Sequence, residues 1–293
     1  MDEQTFRIIH SKMKKYSVET CLNKRFSELT TLGCGGKIKV TIYPDTVRKL
    51  VKVIRLLDKL KTEYYLLGKG SNVLASDDDY DGVVVVTTKM SRIYAHGAKI
   101  CASAGTSTLT VYKQSEKRGL TGGEFLSCLP ASIGGAIVTN AGCFGQEMKD
   151  IVRSVTVLHN GKAKRLSAKR CKLSKRNSLF KQNSNYTLLQ VRLKFKQSTP
   201  DKVREKSQQM RRTKAQTQPL NFRSAGCMLY HDNVSVSRLI DQAGLKGYSI
   251  GGAQVSTKHA GFILNVDKAS AKDIYLVLQQ VERTMWERYG IVA

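Results

Sequence analysis

Apolar and polar residues alternate along Lys37–Tyr43, with Ile38, Val40 and Ile42 on one side, the pattern of a half-buried strand. Gly33, Gly35 and Gly36 turn the chain into it, and Pro44 stops it. Asp45 reads as an N-cap, after which Val47, Leu50, Ile54, Leu57 and Leu60 recur on one helical face. Residues 1–28 read as one helical lead-in of alternating charge. Tyr64–Leu67 is an apolar run that breaks into a loop, and Val83–Val86 is a short, fully apolar strand. The first ninety residues therefore read strand, helix, strand, loop, strand.

Further on, Lys99–Ala104 predicts a strand and Thr108–Arg118 a helix. Val155, Val157 and Leu158 precede Asn160-Gly161, a pair that favours a tight hairpin. Leu189, Val191, Leu193 and Phe195 share one face of the next strand. A polar, basic helix over 201–214 marks a domain boundary. The last helix starts at Ser270 with Asp273 completing a capping box, and Ile274, Val277, Leu278, Val281 and Met285 form its buried face.

Two stretches are poor in side-chain volume. Gly68-Lys69-Gly70-Ser71-Asn72-Val73 follows an apolar run, and its glycines and Asn72 permit left-handed backbone. Successive N–H groups in such a turn can hold a phosphate or diphosphate; an ordinary glycine-rich turn fits the same residues. It is neither a dinucleotide fingerprint nor a Walker loop, because Val73 replaces the third glycine and no Gly-Lys-Ser/Thr follows. The second stretch, Leu129–Gly145, is almost all small residues. Such a stretch lets a flat ligand or another segment approach the backbone, and a tight helix crossing would also need it.

The 293 residues suit about two domains. The formal charge of +26 is uneven: no Asp or Glu occurs between Asp150 and Asp201, where lysines and arginines crowd. Such a field attracts anions. It lacks a nucleic-acid-binding motif, so a solvated basic face is the simpler reading and a nucleic-acid partner is not expected. Seven cysteines show no C-x-x-C, which argues against a metal site, and the polar start and absence of a long apolar run point to a reduced, cytoplasmic protein without a membrane span.

Several of these stretches together resemble the UDP-N-acetylenolpyruvoylglucosamine reductase (UDP-N-acetylmuramate dehydrogenase) family, flavoenzymes of bacterial peptidoglycan and cell-wall synthesis. The markers are Thr30-Thr31…Gly35-Gly36, Leu67-Gly68-Lys69-Gly70-Ser71-Asn72 and Pro130…Gly134-Gly135-Ala136…Asn140-Ala141-Gly142. Arg176…Ser178, Ser224-Ala225-Gly226 and Ser256…His259 complete the set, in the family's order from about Thr30 to Gly290. The chain looks like the shorter subtype.

The resemblance implies an α+β fold: a two-subdomain FAD-binding fold of the vanillyl-alcohol-oxidase type plus a C-terminal α+β substrate domain. The divisions expected are 1–90, 91–204 and 205–293. It implies FAD and NADPH as cofactors and a UDP-sugar as substrate. Gly68, Lys69, Gly70, Ser71, Asn72 and Val73 would hold the diphosphate. Pro130, Ser132, Gly134, Gly135, Asn140, Ala141 and Gly142 would line the flavin, and Ser178, Lys214, Ser224 and His259 the substrate.

Arg176 matches the family's catalytic cation and Cys227 its proton donor, a position held by Ser or Cys. A thiol has an ordinary pKa of about 8.5, so at neutral pH it is mostly protonated and can donate. The family carries a further catalytic Glu a few residues past the match to Gly290-Ile291, for which the chain ending at Ala293 has no counterpart, and Lys175 replaces its usual aromatic. An FAD-binding relative with weak or no turnover is therefore the alternative, followed by a basic nucleic-acid-binding protein.

Overall fold

The computed structural model describes residues 1–231 and 233–292. They form two units. The first comprises Met1–Leu22, Val40–Lys69 and Asp81–Arg212; the second comprises Asn23–Lys39, Gly70–Tyr80 and Thr213–Ala293.

A four-stranded sheet runs in the order Glu19–Arg25, Lys37–Tyr43, Tyr80–Val86, Tyr64–Leu67. Its last two strands are parallel, with Tyr64 opposite Val83 and Leu67 opposite Val86. Parallel neighbours need a crossover, and their apolar runs are the kind buried on both faces. Helix Glu3–Tyr16 packs with helix Val47–Lys59, whose Leu50, Val53, Ile54 and Leu57 are buried.

The lead-in is not one helix. Ser17, at φ 51°, ends the first helix, its N–H donating to Lys14 O and that of Val18 to Met13 O. This left-handed closure releases the chain into strand Glu19–Arg25. Asp45 is not the N-cap of the next helix either. Thr46 Oγ1 accepts the Lys49 N–H at 3.2 Å, while the Asp45 carboxylate holds the Lys49 ammonium at 2.8 Å.

The first unit also holds a five-stranded antiparallel sheet, ordered Lys162–Ser167, Val152–His159, Tyr186–Lys194, Lys99–Ser103, Ile93–His96. Its hairpin turns at Asn160 and Gly161, at φ 49° and 69°, as their residue types predict. Val155, Val157, Leu189, Val191 and Leu193 point into the core. The short helix Ile133–Val138 packs on the strands Tyr186–Lys194 and Lys99–Ser103.

The second unit has its own antiparallel sheet, ordered Arg223–Cys227, Phe262–Asn265, Ala253–Val255, Ser249–Ile250. Helix Ala271–Tyr289 covers it, burying Ile274, Val277, Val281 and Met285. Ser270 and Asp273 form the expected capping box. Asp77 reinforces that helix start, accepting the N–H groups of Ala271 and Lys272 at 2.9 and 3.1 Å. No helix among the described residues is long and apolar enough to cross a membrane.

Candidate active site

The loop Gly68–Val73 starts where strand Tyr64–Leu67 stops. In the first unit, a Cβ on Gly68 would overlap Ser132 Oγ, and Lys69 Nζ donates to Ser107 Oγ at 3.3 Å. Ser107 and Ser132 are themselves bridged. In the second unit, Gly70 sits at φ +63°, and its carbonyl accepts the Thr31 N–H at 3.1 Å. A Cβ there would overlap the Leu29 carbonyl oxygen and come within 2.8 Å of Thr30 Cα. Ser71, Asn72 and Val73 follow at intermediate to full exposure. Bare backbone beside an ammonium and hydroxyls fits a diphosphate.

The second small-residue stretch divides between packing and openness. Pro130 is exposed, and buried Ser132 caps helix Ile133–Val138 by accepting the Gly135 N–H at 3.2 Å. Gly134 is packed: its N–H donates to Ala104 O at 2.7 Å, and a Cβ would stand 3.0 Å from that oxygen. Gly135 is exposed, and only Ser132 Oγ comes near its missing Cβ. Within the first unit, Gly135 thus leaves its backbone uncovered beside Ser132, which fits the wall of a flavin-nucleotide site.

Asn140, Ala141 and Gly142 lie at the end of that stretch. Ala141 N donates to Ala136 O at 2.8 Å, and a Cβ on Gly142 would press on Glu147, 2.8 Å from its Cγ. Asn140 is buried, at φ +43°. Its amide donates to Glu147 Oε2 at 2.8 Å and to Ser174 O at 2.9 Å, and its oxygen accepts the Lys149 N–H at 2.9 Å.

Arg176 is exposed in a two-residue turn closed by Ser174 and Asn177, which exchange N–H···O bonds of 3.0 and 3.1 Å. Its φ of 55° is left-handed. For a residue with a Cβ that conformation costs roughly 1–2 kcal/mol. Such strain persists where surroundings impose it, and it concentrates at functional sites. Ser178 is buried; its hydroxyl donates to Val138 O at 2.7 Å and accepts from Phe180 N and Lys181 N.

Burial opposes ionisation of Glu147, yet the Lys149 ammonium at 2.9 Å, the Asn140 amide and the Arg176 charge outweigh it and hold its carboxyl below the usual range. This carboxylate, which the sequence reading did not single out, shares Asn140 with Ser174 at the base of the turn that carries Arg176. Glu147 lies only two residues past the stretch ending at Gly145, but nothing in its spacing marks it.

In the second unit, Cys227 ends strand Arg223–Cys227 and is exposed. Its Sγ contacts Leu229 O at 3.5 Å. Gly226 before it has φ 83°, and the Ser224 carbonyl accepts the Thr31 hydroxyl at 2.7 Å. Across the pairing stands Phe262, preceded by Gly261. A Cβ on Gly261 would lie 3.2 Å from both His259 Cε1 and Ser237 Cβ, so thiol, imidazole and serine converge on one bare position. A glycine at a strand entrance is the signal that would have found it.

His259 is fixed by its neighbours. Ser256 Oγ accepts the His259 N–H at 3.2 Å, and His259 Nδ1 accepts the Gly261 N–H at 3.2 Å. Nδ1 is therefore the acceptor nitrogen, and Nε2 carries the proton of the neutral ring. Burial pushes this imidazole below its usual range, and Lys246 adds to that. Lys214 lies on helix Pro200–Thr217, half-buried, next to Ala215, whose carbonyl receives Lys258 Nζ at 2.6 Å. Among the described residues no cluster of His, Cys, Asp and Glu could hold a metal.

Residues 38–167 match the FAD binding domain family. The chain is thus a flavin-nucleotide-binding protein of α+β architecture. Residues 218–292 match the C-terminal domain of UDP-N-acetylenolpyruvoylglucosamine reductase. The UDP-N-acetylenolpyruvoylglucosamine reductase of Clostridium novyi is 35% identical over 89% of this chain and 86% of its own. That of Caldanaerobacter subterraneus subsp. tengcongensis is 34% identical over 92% and 90%. The crystal structure of the enzyme from Thermus caldophilus superposes with a TM-score of 0.78 at 29% identity, covering 91% of this chain and 94% of that one. The chain belongs to the UDP-N-acetylenolpyruvoylglucosamine reductase family. An alkyldihydroxyacetonephosphate synthase, 13% identical with a TM-score of 0.50 over 67% of this chain and 44% of its own, shares the fold alone.

Proposed function

We propose that this protein reduces UDP-N-acetylglucosamine enolpyruvate to UDP-N-acetylmuramate, with NADPH as reductant, for the bacterial cell wall. The observation that carries the reading is Arg176, an exposed cation held in a left-handed turn by its own scaffold. When bound, FAD supplies the hydride taken from NADPH to the β-carbon of the enolpyruvyl group.

The chain's residues do the rest. Gly68, Lys69, Gly70, Ser71, Asn72 and Val73 bind the diphosphate of the cofactor with N–H groups and the Lys69 charge. Pro130, Ser132, Gly134, Gly135, Ala141 and Gly142 shape the wall beside the ring system. As the β-carbon gains hydride, negative charge spreads onto the substrate carboxylate, and the Arg176 guanidinium stabilises it there. A fixed donor at developing charge is typically worth about 100- to 1,000-fold in rate. The Cys227 thiol then gives its proton to the α-carbon. Lys214, Ser224 and the His259 Nε2–H bind the substrate in the second unit.

The test uses purified protein with its flavin spectrum followed anaerobically. NADPH bleaches the flavin, and UDP-N-acetylglucosamine enolpyruvate restores its absorbance. Arg176→Ala leaves the bleaching and slows the recovery at least 100-fold, the oxyanion-type loss. A wild-type protein whose bleached flavin stays reduced on adding that substrate would refute the proposed activity.

A further inference from the structure

We propose that Asn140 and Glu147 form a brace that holds the turn carrying Arg176, and so positions Arg176, and that neither side chain is a ligand of cofactor or substrate; the inference rests on Arg176 acting in the reaction proposed above. The Asn140 side chain is already committed. It is 1% exposed, and its amide makes three hydrogen bonds, all to the chain itself.

The bond to Ser174 O decides its role. That carbonyl also accepts the Asn177 N–H at 3.0 Å, so Asn140 grips the base of the turn that Arg176 tips. Ser178 pins the far side through its 2.7 Å bond to Val138 O. Both anchors, Val138 and Asn140, lie at the end of helix Ile133–Val138. A turn clamped on both sides can impose on Arg176 a backbone conformation that glycine or asparagine would normally take.

Glu147 holds Asn140 in turn. Its carboxylate bonds Asn140 Nδ2 at 2.8 Å and Lys149 Nζ at 2.9 Å, so the amide that grips Ser174 is itself fixed, and through it the turn that carries Arg176. The hairpin Gly142–Cys143 with Gln146–Glu147 sets that carboxylate in place, and Gly142 opposite Glu147 leaves room for it.

The experiment compares the two half-reactions in Glu147→Gln and Asn140→Ala, each loaded with FAD. Glu147→Gln keeps the shape and removes the charge. Flavin reduction by NADPH is expected within about twofold of wild type. Reoxidation by UDP-N-acetylglucosamine enolpyruvate is expected to slow roughly tenfold in Glu147→Gln and more in Asn140→Ala. In an Arg176→Lys background the same changes are expected to add little, since coupled residues are not additive. Amide exchange over residues 174–178 is expected to speed up at least tenfold in Asn140→Ala, with or without cofactor. Equal loss of both half-reactions together with weakened FAD retention would overturn the brace in favour of a cofactor ligand. Full additivity with Arg176→Lys, or unchanged exchange over 174–178, would also overturn it. If wild-type protein fails to reoxidise, the proposed activity falls, and the exchange measurement alone decides whether Asn140 holds the turn.

Discussion

A Cβ added to Gly261 would stand 2.7 Å from the sulfur of Cys227, so the thiol fills the volume that any larger residue would claim. Carbon and sulfur do not approach that closely, and one of them must move. His259 Cε1 and Ser237 Cβ, each 3.2 Å from the same point, limit where the added methyl can go. Gly261→Ala is expected to displace the thiol and slow flavin reoxidation by the enolpyruvyl sugar at least tenfold. General-acid assistance is typically worth about 100- to 10,000-fold, so partial misplacement suffices. Stopped-flow absorbance checks it, with an unchanged rate of NADPH bleaching as the control.

Gly70 tests the proposed diphosphate loop. Its φ of +63° and its contact with the Leu29 carbonyl leave no room for a methyl group. Gly70→Ala is expected to open the loop away from Leu29–Thr31 and strip the protein of flavin. The ratio of flavin to protein absorbance after desalting reads this directly; a variant that keeps its yellow colour contradicts the assigned cradle.

His259 makes stability depend on pH. Burial and Lys246 hold its folded pKa below that of the free imidazole, whose value is about 6.5. The unfolded chain therefore binds more protons in mild acid. This contribution is fully present above about pH 6.5 and is lost as pH falls through the folded pKa. His259→Gln is expected to flatten the drop in Tm between pH 7.5 and pH 5. The Gly261 N–H that His259 Nδ1 accepts is the bond that protonation breaks.

The cysteines should react in a fixed order. Burial pushes the Cys34 and Cys171 thiols up to about 11, whereas Cys227 is exposed. Only the thiolate is nucleophilic, so iodoacetamide at pH 8 is expected to label Cys227 first and Cys34 and Cys171 last. Peroxide is expected to inactivate through the same residue, and Cys227→Ser to resist it. Peptide mass spectrometry against time separates the sites.

Elements governed by local chemistry were legible in the sequence. Asn160-Gly161 turns as its residue types require, and Ser270 with Asp273 opens the last helix. The strand Glu19–Arg25 was not legible, because its burial is mixed and it is set off from a true helix by one left-handed serine. Thr46 outcompeted Asp45 as a cap because the carboxylate is taken by Lys49. In the site, the glycine loops stood out by residue type, whereas Arg176, by type one more charge in a basic run, was singled out only through the family resemblance of Arg176…Ser178. The work of Asn140 did not, since its partners Glu147, Lys149 and Ser174 are set by folding rather than by spacing. Gly261 was passed over for the same reason: its significance lies in a sulfur 34 positions earlier in the chain.

The backbone at position 176 favours a residue without a side chain, yet the chain places its longest cation there. Durability and turnover are therefore set against each other at one site. Replacing Arg176 with glycine relieves the turn and is expected to raise the melting temperature, the route by which libraries selected for heat tolerance advance. Such a selection, run without an activity screen, would drift toward a sturdier protein that keeps its flavin and converts nothing.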